Sequence, residues 1–312
     1  MQIIWLGQGG FLFVSDRKKI LIDPYLSDSM RLIDKAFKRR SKINKKLLRI
    51  KPDIIILTNS HPDHTDHKTL SKLLKKKAKK KITVLACENA FASCFKSRDF
   101  ARANPTVFGE GDEWTLDCLR IKAVKARTSD PSAFGVLITD THDGKCYYVA
   151  SSTLYNESII SSLPKDIFAS FIPISGTYGN MNMADAIRFA ERINSEFNVP
   201  INYGMFDIID PTEFKVKGKV FPRANKVIEF NLLPVQSLFS PKVLDSKFNE
   251  KKKSEKSVAK KAPHPVKKEE KKPYISPIHE DKATIVLEDE EKEAIVLEDE
   301  KKAVIPATPS KK

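Results

Sequence analysis

Between residues 58 and 67 the chain reads Thr58-Asn59-Ser60-His61-Pro62-Asp63-His64-Thr65-Asp66-His67. Three of its six histidines fall within seven residues, together with two aspartates. Imidazole and carboxylate crowded onto one loop suit a divalent cation better than they suit packing. A catalytic zinc commonly takes three protein ligands plus water, so His61, Asp63 and His64, joined by Asp66 or His67, reach the count for one ion. The same residues also have a plainer use. Asp63 can accept backbone N–H groups inside the loop, and Asp66 stands where a helix N-cap belongs.

The loop must be delivered by the elements around it. Residues 53–58 form a continuous apolar run, as expected of a strand buried on both faces. After the loop, Leu70, Leu73 and Leu74 recur at helical spacing within HKTLSKLLKK. Upstream, QIIWLG, GFLFVS and KKILIDPYL predict two or three antiparallel strands, with Asp23-Pro24 supporting the loop from beneath. Downstream, residues 81–86 predict a buried strand and residues 89–104 a helix. EWTLDCLRIKAV, AFGVLITD and KCYYVASS predict further strands, the last two joined by a hairpin at Asp143-Gly144 that leaves His142 in solvent. Helix ESIISSLP, strand DIFASFIPI, helix MADAIRFAERINSEF and strand VPINYGMF follow. Strands in two batches, each with helices, predict an α/β protein built as a four-layer αββα sandwich.

The His-rich loop resembles the signature His-x-His-x-Asp-His of the metallo-β-lactamase superfamily. LGQGGFLF, KKILIDPYLSDS, VKARTSDPSAFGV, ASSTLYNES and GNMNMADAIRFAERI before VPINYGMFD are similar, in order, to its branch containing ascorbate-6-phosphate lactonase and related metal-dependent hydrolases. The resemblance covers roughly residues 1–215. It implies a metallo-β-lactamase fold and a pair of metals about 3.5–4 Å apart. One metal would sit on three histidines, the other on an Asp and two histidines, with a second Asp bridging.

Carried over residue by residue, His61, Asp63 and His64 match that pattern. The first His of the signature is Asn59, and the His expected before Ser-Asp-Pro is Thr128. The bridging Asp is Ser152, with Ser151 in the preceding Gly position, and the last His is Asn202. Four of seven ligand positions thus hold weak, neutral donors or none. The resemblance therefore implies a dismantled two-metal site, with no cofactor or one loosely held divalent metal, zinc or manganese. Arg127, beside Thr128, would offer a guanidinium to an anion in the former metal pocket. The expected function is non-catalytic binding or scaffolding. The alternative is an active hydrolase of phosphoesters or lactones using a mononuclear or rearranged site.

Composition bounds the rest. The 312 residues are 41% apolar and 30% charged, which excludes wholesale disorder. No run approaches the roughly 18 apolar residues of a membrane span, and no basic stretch opens a secretory signal. Cys87, Cys94, Cys118 and Cys146 are scattered, as free thiols in a reducing, cytoplasmic compartment would be. The formal charge is +15. Residues 241–312 hold 18 Lys and 15 acidic residues, leaving 37 of 55 basic and 25 of 40 acidic residues, a net of +12, in residues 1–240. The chain is thus expected to comprise a folded domain over 1–240 and a disordered Lys/Glu-rich tail over 241–312.

The tail repeats Ile-Val-Leu-Glu-Asp-Glu at 285–290 and 295–300. That motif suits strand addition to an unidentified protein partner and resembles a SUMO-interacting motif. Within the folded part, the basic runs at 35–46 and 75–81 read as solvated surface or as a phosphate-binding patch. Only Phe37 offers either run a stacking platform, so nucleic acid is the lesser partner class.

Overall fold

The computed structural model describes residues 1–74, 80–95, 100 and 102–230. The readings made on residues 241–312, the tail and its repeat, lie outside the described residues, as does most of the basic run at 75–81.

Twelve strands form two six-stranded sheets. The first takes β1 (Gln2–Gly7), β2 (Gly10–Ser15), β3 (Lys18–Ile22), β4 (Ile54–Leu57), β5 (Ile82–Ala86) and β6 (Ala103–Val107) in chain order. Its first three strands are antiparallel, and β3 through β6 run parallel. The second sheet takes β7 (Glu113–Leu116), β8 (Leu119–Lys125), β9 (Phe134–Asp140), β10 (Cys146–Val149), β11 (Ile167–Pro173) and β12 (Phe197–Ile201), again in chain order. Here β7 to β10 are antiparallel and β10 to β12 parallel. The two sheets pack through aromatic rings: Phe11 on β2 lies 4.7 Å from Phe171 on β11, and Phe13 meets Phe171 and Tyr147 at 6.0 and 6.1 Å. All four side chains are buried.

Helices α1 (His67–Leu74) and α2 (Glu88–Phe95) accompany the first sheet, and α3 (Glu157–Ser162) and α4 (Met183–Ile193) the second. Burial follows the helical period: α4 turns Ala186, Phe189, Ala190 and Ile193 inward. It ends at Ile193, four residues before the expected end, where the left-handed backbone of Asn194 (φ 49°) closes it. The four-layer sandwich is therefore the observed architecture.

One expectation is corrected. The helix expected over 89–104 is α2, ending at Phe95, and Ala103 and Asn104 open strand β6. Pro105 explains the change, since it biases Asn104 to extended backbone and is tolerated at the sheet edge that β6 occupies.

The topology decides where chemistry can gather. Strands β1, β3 and β4 of one sheet and β8, β10 and β12 of the other all end at one rim of the sandwich. Residues 8, 23, 58–66, 127–130, 151–152 and 202 follow those ends.

Candidate functional site

Asp23, at the end of β3, is fully buried and organises this rim. Its carboxylate accepts hydrogen bonds from the Thr58 N–H (2.8 Å), the Thr58 hydroxyl, the Ser151 hydroxyl (3.3 Å) and His64 Nδ1 (2.8 Å). The supporting role expected of Asp23 is the one it has. Burial opposes charge on the His64 ring, but Asp63 and Asp23 outweigh it and raise its pKa to about 9. The other ring nitrogen, Nε2, lies 3.0 Å from the buried Ser152 hydroxyl and 3.9 Å from Asp63 Oδ2.

The rest of the loop is held just as fully. His61 Nε2 pairs with Ser129 Oγ at 2.9 Å, and its ring lies 6.4 Å from that of His64. Burial and the neighbouring His64 lower the His61 pKa. The buried Asn59 accepts the His61 N–H (3.0 Å) and donates to Ser151 Oγ (3.3 Å). The expectation that Asp63 accepts backbone N–H groups is corrected: among the described residues its carboxylate accepts Gln8 Nε2 at 3.3 Å instead.

Nor do Asp66 and His67 join the cluster. Asp66 caps α1, accepting the Lys68 and Thr69 N–H groups at 3.2 Å and Ser29 Oγ at 2.9 Å. His67 begins that helix with its ring 5.1 Å from Phe100. Helix geometry turns both away from His61 and His64.

Asn202 follows the end of β12 and donates to Asn180 Oδ1 (3.3 Å). Gly9 lets this rim close: a Cβ there would lie 2.7 Å from His64 Cε1 and 3.4 Å from Asn202 Oδ1. Thr128 packs under Gly179, while the exposed Arg127 is held only by main chain, its N–H donating to Thr153 Oγ1 (2.9 Å). Three buried oxygens at the rim have no hydrogen-bond partner among the described residues: Gln8 Oε1, Thr128 Oγ1 and Asn202 Oδ1.

The backbone here is unusual in a second way. Ten described non-glycine residues have a left-handed φ, and four of them (Gln8 50°, Asp23 41°, Ser151 58°, Asn202 57°) line this rim. Such strain persists where the surrounding fold imposes it, and it gathers at functional sites. Ser151 adopts the conformation that a Gly in its place would take freely.

Sequence reasoning missed Gln8 and Asp130. The Asp130 carboxylate accepts the Ser60 N–H and hydroxyl (2.8 and 2.7 Å), Asn89 Nδ2 (2.7 Å) and the Ser132 hydroxyl (2.7 Å), latching the loop from outside. Burial opposes its charge, but these bonds hold the carboxyl far below the usual range. The phosphate-patch reading of residues 35–46 is also corrected in part. Arg39 is buried and donates to the Tyr25 and Leu6 carbonyls (2.7 and 3.4 Å), and Phe37 packs on Tyr178 and Phe206 (5.4 and 5.7 Å).

A cavity of about 1350 Å³ lies on the other flank of the loop. Leu32, Ile33 and Leu48 give it apolar walls, and Lys45, Arg49 and Lys68 stand at its edge. Leu32 and Ile33 are among the most exposed large apolar side chains described.

A family model described as "Beta-lactamase superfamily domain" matches residues 2–202. A protein of Methanosarcina mazei named UPF0173 metal-dependent hydrolase is 27% identical over 236 residues, covering 70% of this chain and 92% of that protein. Among solved structures, Igni18, a metallo hydrolase from Ignicoccus hospitalis, superposes with a TM-score of 0.57 at 19% identity, covering 74% of this chain and 99% of that one. The metallo-β-lactamase fold protein YhfI from Bacillus subtilis superposes at 0.55 with 16% identity, covering 73% and 99%. These structural likenesses establish the fold.

Proposed function

The chain belongs to the β-lactamase superfamily, and on that premise we propose that it is a non-catalytic binding protein on a metal-dependent hydrolase scaffold. One observation carries this reading. At the seven ligand positions of the resembling hydrolases, Asn59, Thr128, Ser152 and Asn202 are neutral, and His61, Asp63 and His64 are each engaged by protein groups. His64 Nε2 meets Ser152 Oγ, where a bridging carboxylate would stand.

This donor set does not fit a pair of dications. Two dications held close together need negative charge between them, and amide or hydroxyl oxygens supply none. The unpartnered oxygens of Gln8, Thr128 and Asn202 suit a neutral polar group better than a metal.

Binding is supported by the neighbouring cavity. Its exposed apolar wall and cationic edge complement an acidic ligand carrying apolar side chains, consistent with the +12 of residues 1–240. Arg127 adds a cation at the rim itself. The IVLEDE repeat is the segment we assign to a protein partner by strand addition.

Two measurements test this function. The His61→Ala variant should hold as much metal as the wild type, and neither should hydrolyse phosphoesters or lactones when zinc or manganese is added. Stoichiometric metal and hydrolysis, both lost on His61→Ala, would instead establish an active hydrolase with a mononuclear site. Restoring Asn59→His, Thr128→His, Ser152→Asp and Asn202→His together should raise the metal content by up to two per chain over that of the wild type.

A further inference from the structure

At the opposite rim of the sandwich three turns meet. Asp16 and Arg17, both left-handed (φ 44° and 67°), join β2 to β3 in the first sheet. Asp117 and Cys118 join β7 to β8, and residues 141–145 join β9 to β10, both in the second sheet. The turns are tied to one another. The Thr141 N–H and hydroxyl donate to the Cys118 carbonyl (2.8 and 2.9 Å), and Lys18 pairs with Asp117 at 2.9 Å. The Ser15 hydroxyl donates to the buried Asp140 carboxylate from the other sheet at 2.9 Å.

On this frame Asp16, Cys118 and His142 bring a carboxylate oxygen, a thiol and an imidazole nitrogen within 4.8 Å of one another, the one such group among the described residues. His142 Nδ1 is 3.1 Å from Asp16 Oδ2, and Cys118 Sγ is 3.5 Å from the same oxygen.

We propose that Asp16, Cys118 and His142 hold a zinc ion, with solvent in the fourth position, that cross-links the two sheets at the rim opposite the His-rich loop. Zinc takes sulfur at about 2.3 Å, imidazole nitrogen at about 2.0–2.1 Å and carboxylate oxygen at about 2.0–2.2 Å. At tetrahedral angles those lengths set oxygen about 3.4 Å from nitrogen and about 3.6 Å from sulfur. The separations of 3.1 and 3.5 Å therefore need adjustments of only a few tenths of an ångström.

The charges also close. A thiolate and a carboxylate neutralise the dication, and imidazole is a neutral third donor. The Cys118 thiol faces the Asp16 carboxylate at 3.5 Å, and its proton leaves to solvent as the ion binds. Asp140 stands behind the ligands and accepts the His142 backbone N–H at 3.1 Å, fixing the turn that presents the ring. His142 and Asp16 are 67% and 60% exposed, which gives an ion open access. The site shares no residue with the His61 loop and stands whether or not that loop is catalytic.

The test is a cobalt(II) titration of the chelator-stripped, reduced full-length protein. One equivalent should give tetrahedral d–d absorption together with a thiolate-to-cobalt charge-transfer band, and zinc should displace it. Cys118→Ser should abolish the charge-transfer band, and Asp16→Ala or His142→Ala should weaken binding at least tenfold. His61→Ala should change neither, which separates this site from the one above. Because the three side chains sit in surface turns, circular dichroism of each variant should match the wild type. The proposal is overturned if the wild type shows no charge-transfer band, or if the band survives Cys118→Ser.

Discussion

A single carboxylate, Asp23, takes hydrogen bonds from Thr58, Ser151 and His64, and so ties β3, the His-rich loop and the end of β10 together. Its support of the loop was legible in the sequence because Asp23-Pro24 follows a strand at the same end. The partners of Asp63 and Ser60 were not legible. Gln8 lies 55 residues from Asp63, and Asp130 lies 70 residues from Ser60; only the topology brings them together.

Asp130 yields a prediction at this scale. Its carboxylate is held charged by Ser60, Asn89 and Ser132, so Asp130→Asn should lower stability by about 1.5–3 kcal/mol at neutral pH, the usual range for bonds to a charged group. The folded pKa lies below the unfolded value of 3.8, so the contribution is present above that pH and fades as pH falls below it. Urea denaturation of both proteins from neutral pH down to the acid limb should therefore show the gap narrowing. A gap independent of pH would mean that the carboxylate charge is not what latches the loop.

At the scale of elements, strands with strong apolar patterns and helices with i, i+3, i+4 stripes announced themselves, because each buries one face or both. Strand β6 did not. Its sequence, Ala-Asn-Pro-Thr-Val, carries turn residues, and only pairing with β5 makes it extended. The end of α4 was misplaced for a similar reason: Asn194 reads as a helix residue until its left-handed backbone is seen.

The seam between the sheets rests on aromatic contact, with Phe171 touching both Phe11 and Phe13. Phe171→Ala should cost about 3–5 kcal/mol through lost burial and the cavity it leaves. A shift in the denaturant midpoint at unchanged slope would report it. A loss below about 1 kcal/mol would mean that the sheets repack freely across the seam, contrary to a close-packed core.

At the scale of the molecule, a hydrolase-like scaffold presents three surfaces: the His-loop rim, the cavity beside it and the three-turn cluster opposite. The sequence made the first legible, through the close spacing of its histidines and aspartates. It could not show the second or third, since each is assembled from segments far apart in the chain.

For the cavity, acidic peptides bearing Ile, Val or Leu should bind, and binding should weaken as salt screens the cationic edge. Charge reversal by Lys68→Glu with Arg49→Glu should weaken it at least tenfold in fluorescence anisotropy. Binding insensitive to both salt and reversal would remove the cavity from the account.

The central claim is that His61, Asp63 and His64 no longer hold a metal. Its most direct test is the metal content per chain of purified Cys118→Ser protein, in which the turn cluster cannot contribute, with and without His61→Ala. The account predicts well under one zinc or manganese per chain in both. Close to one metal in Cys118→Ser, lost when His61→Ala is added, would contradict it.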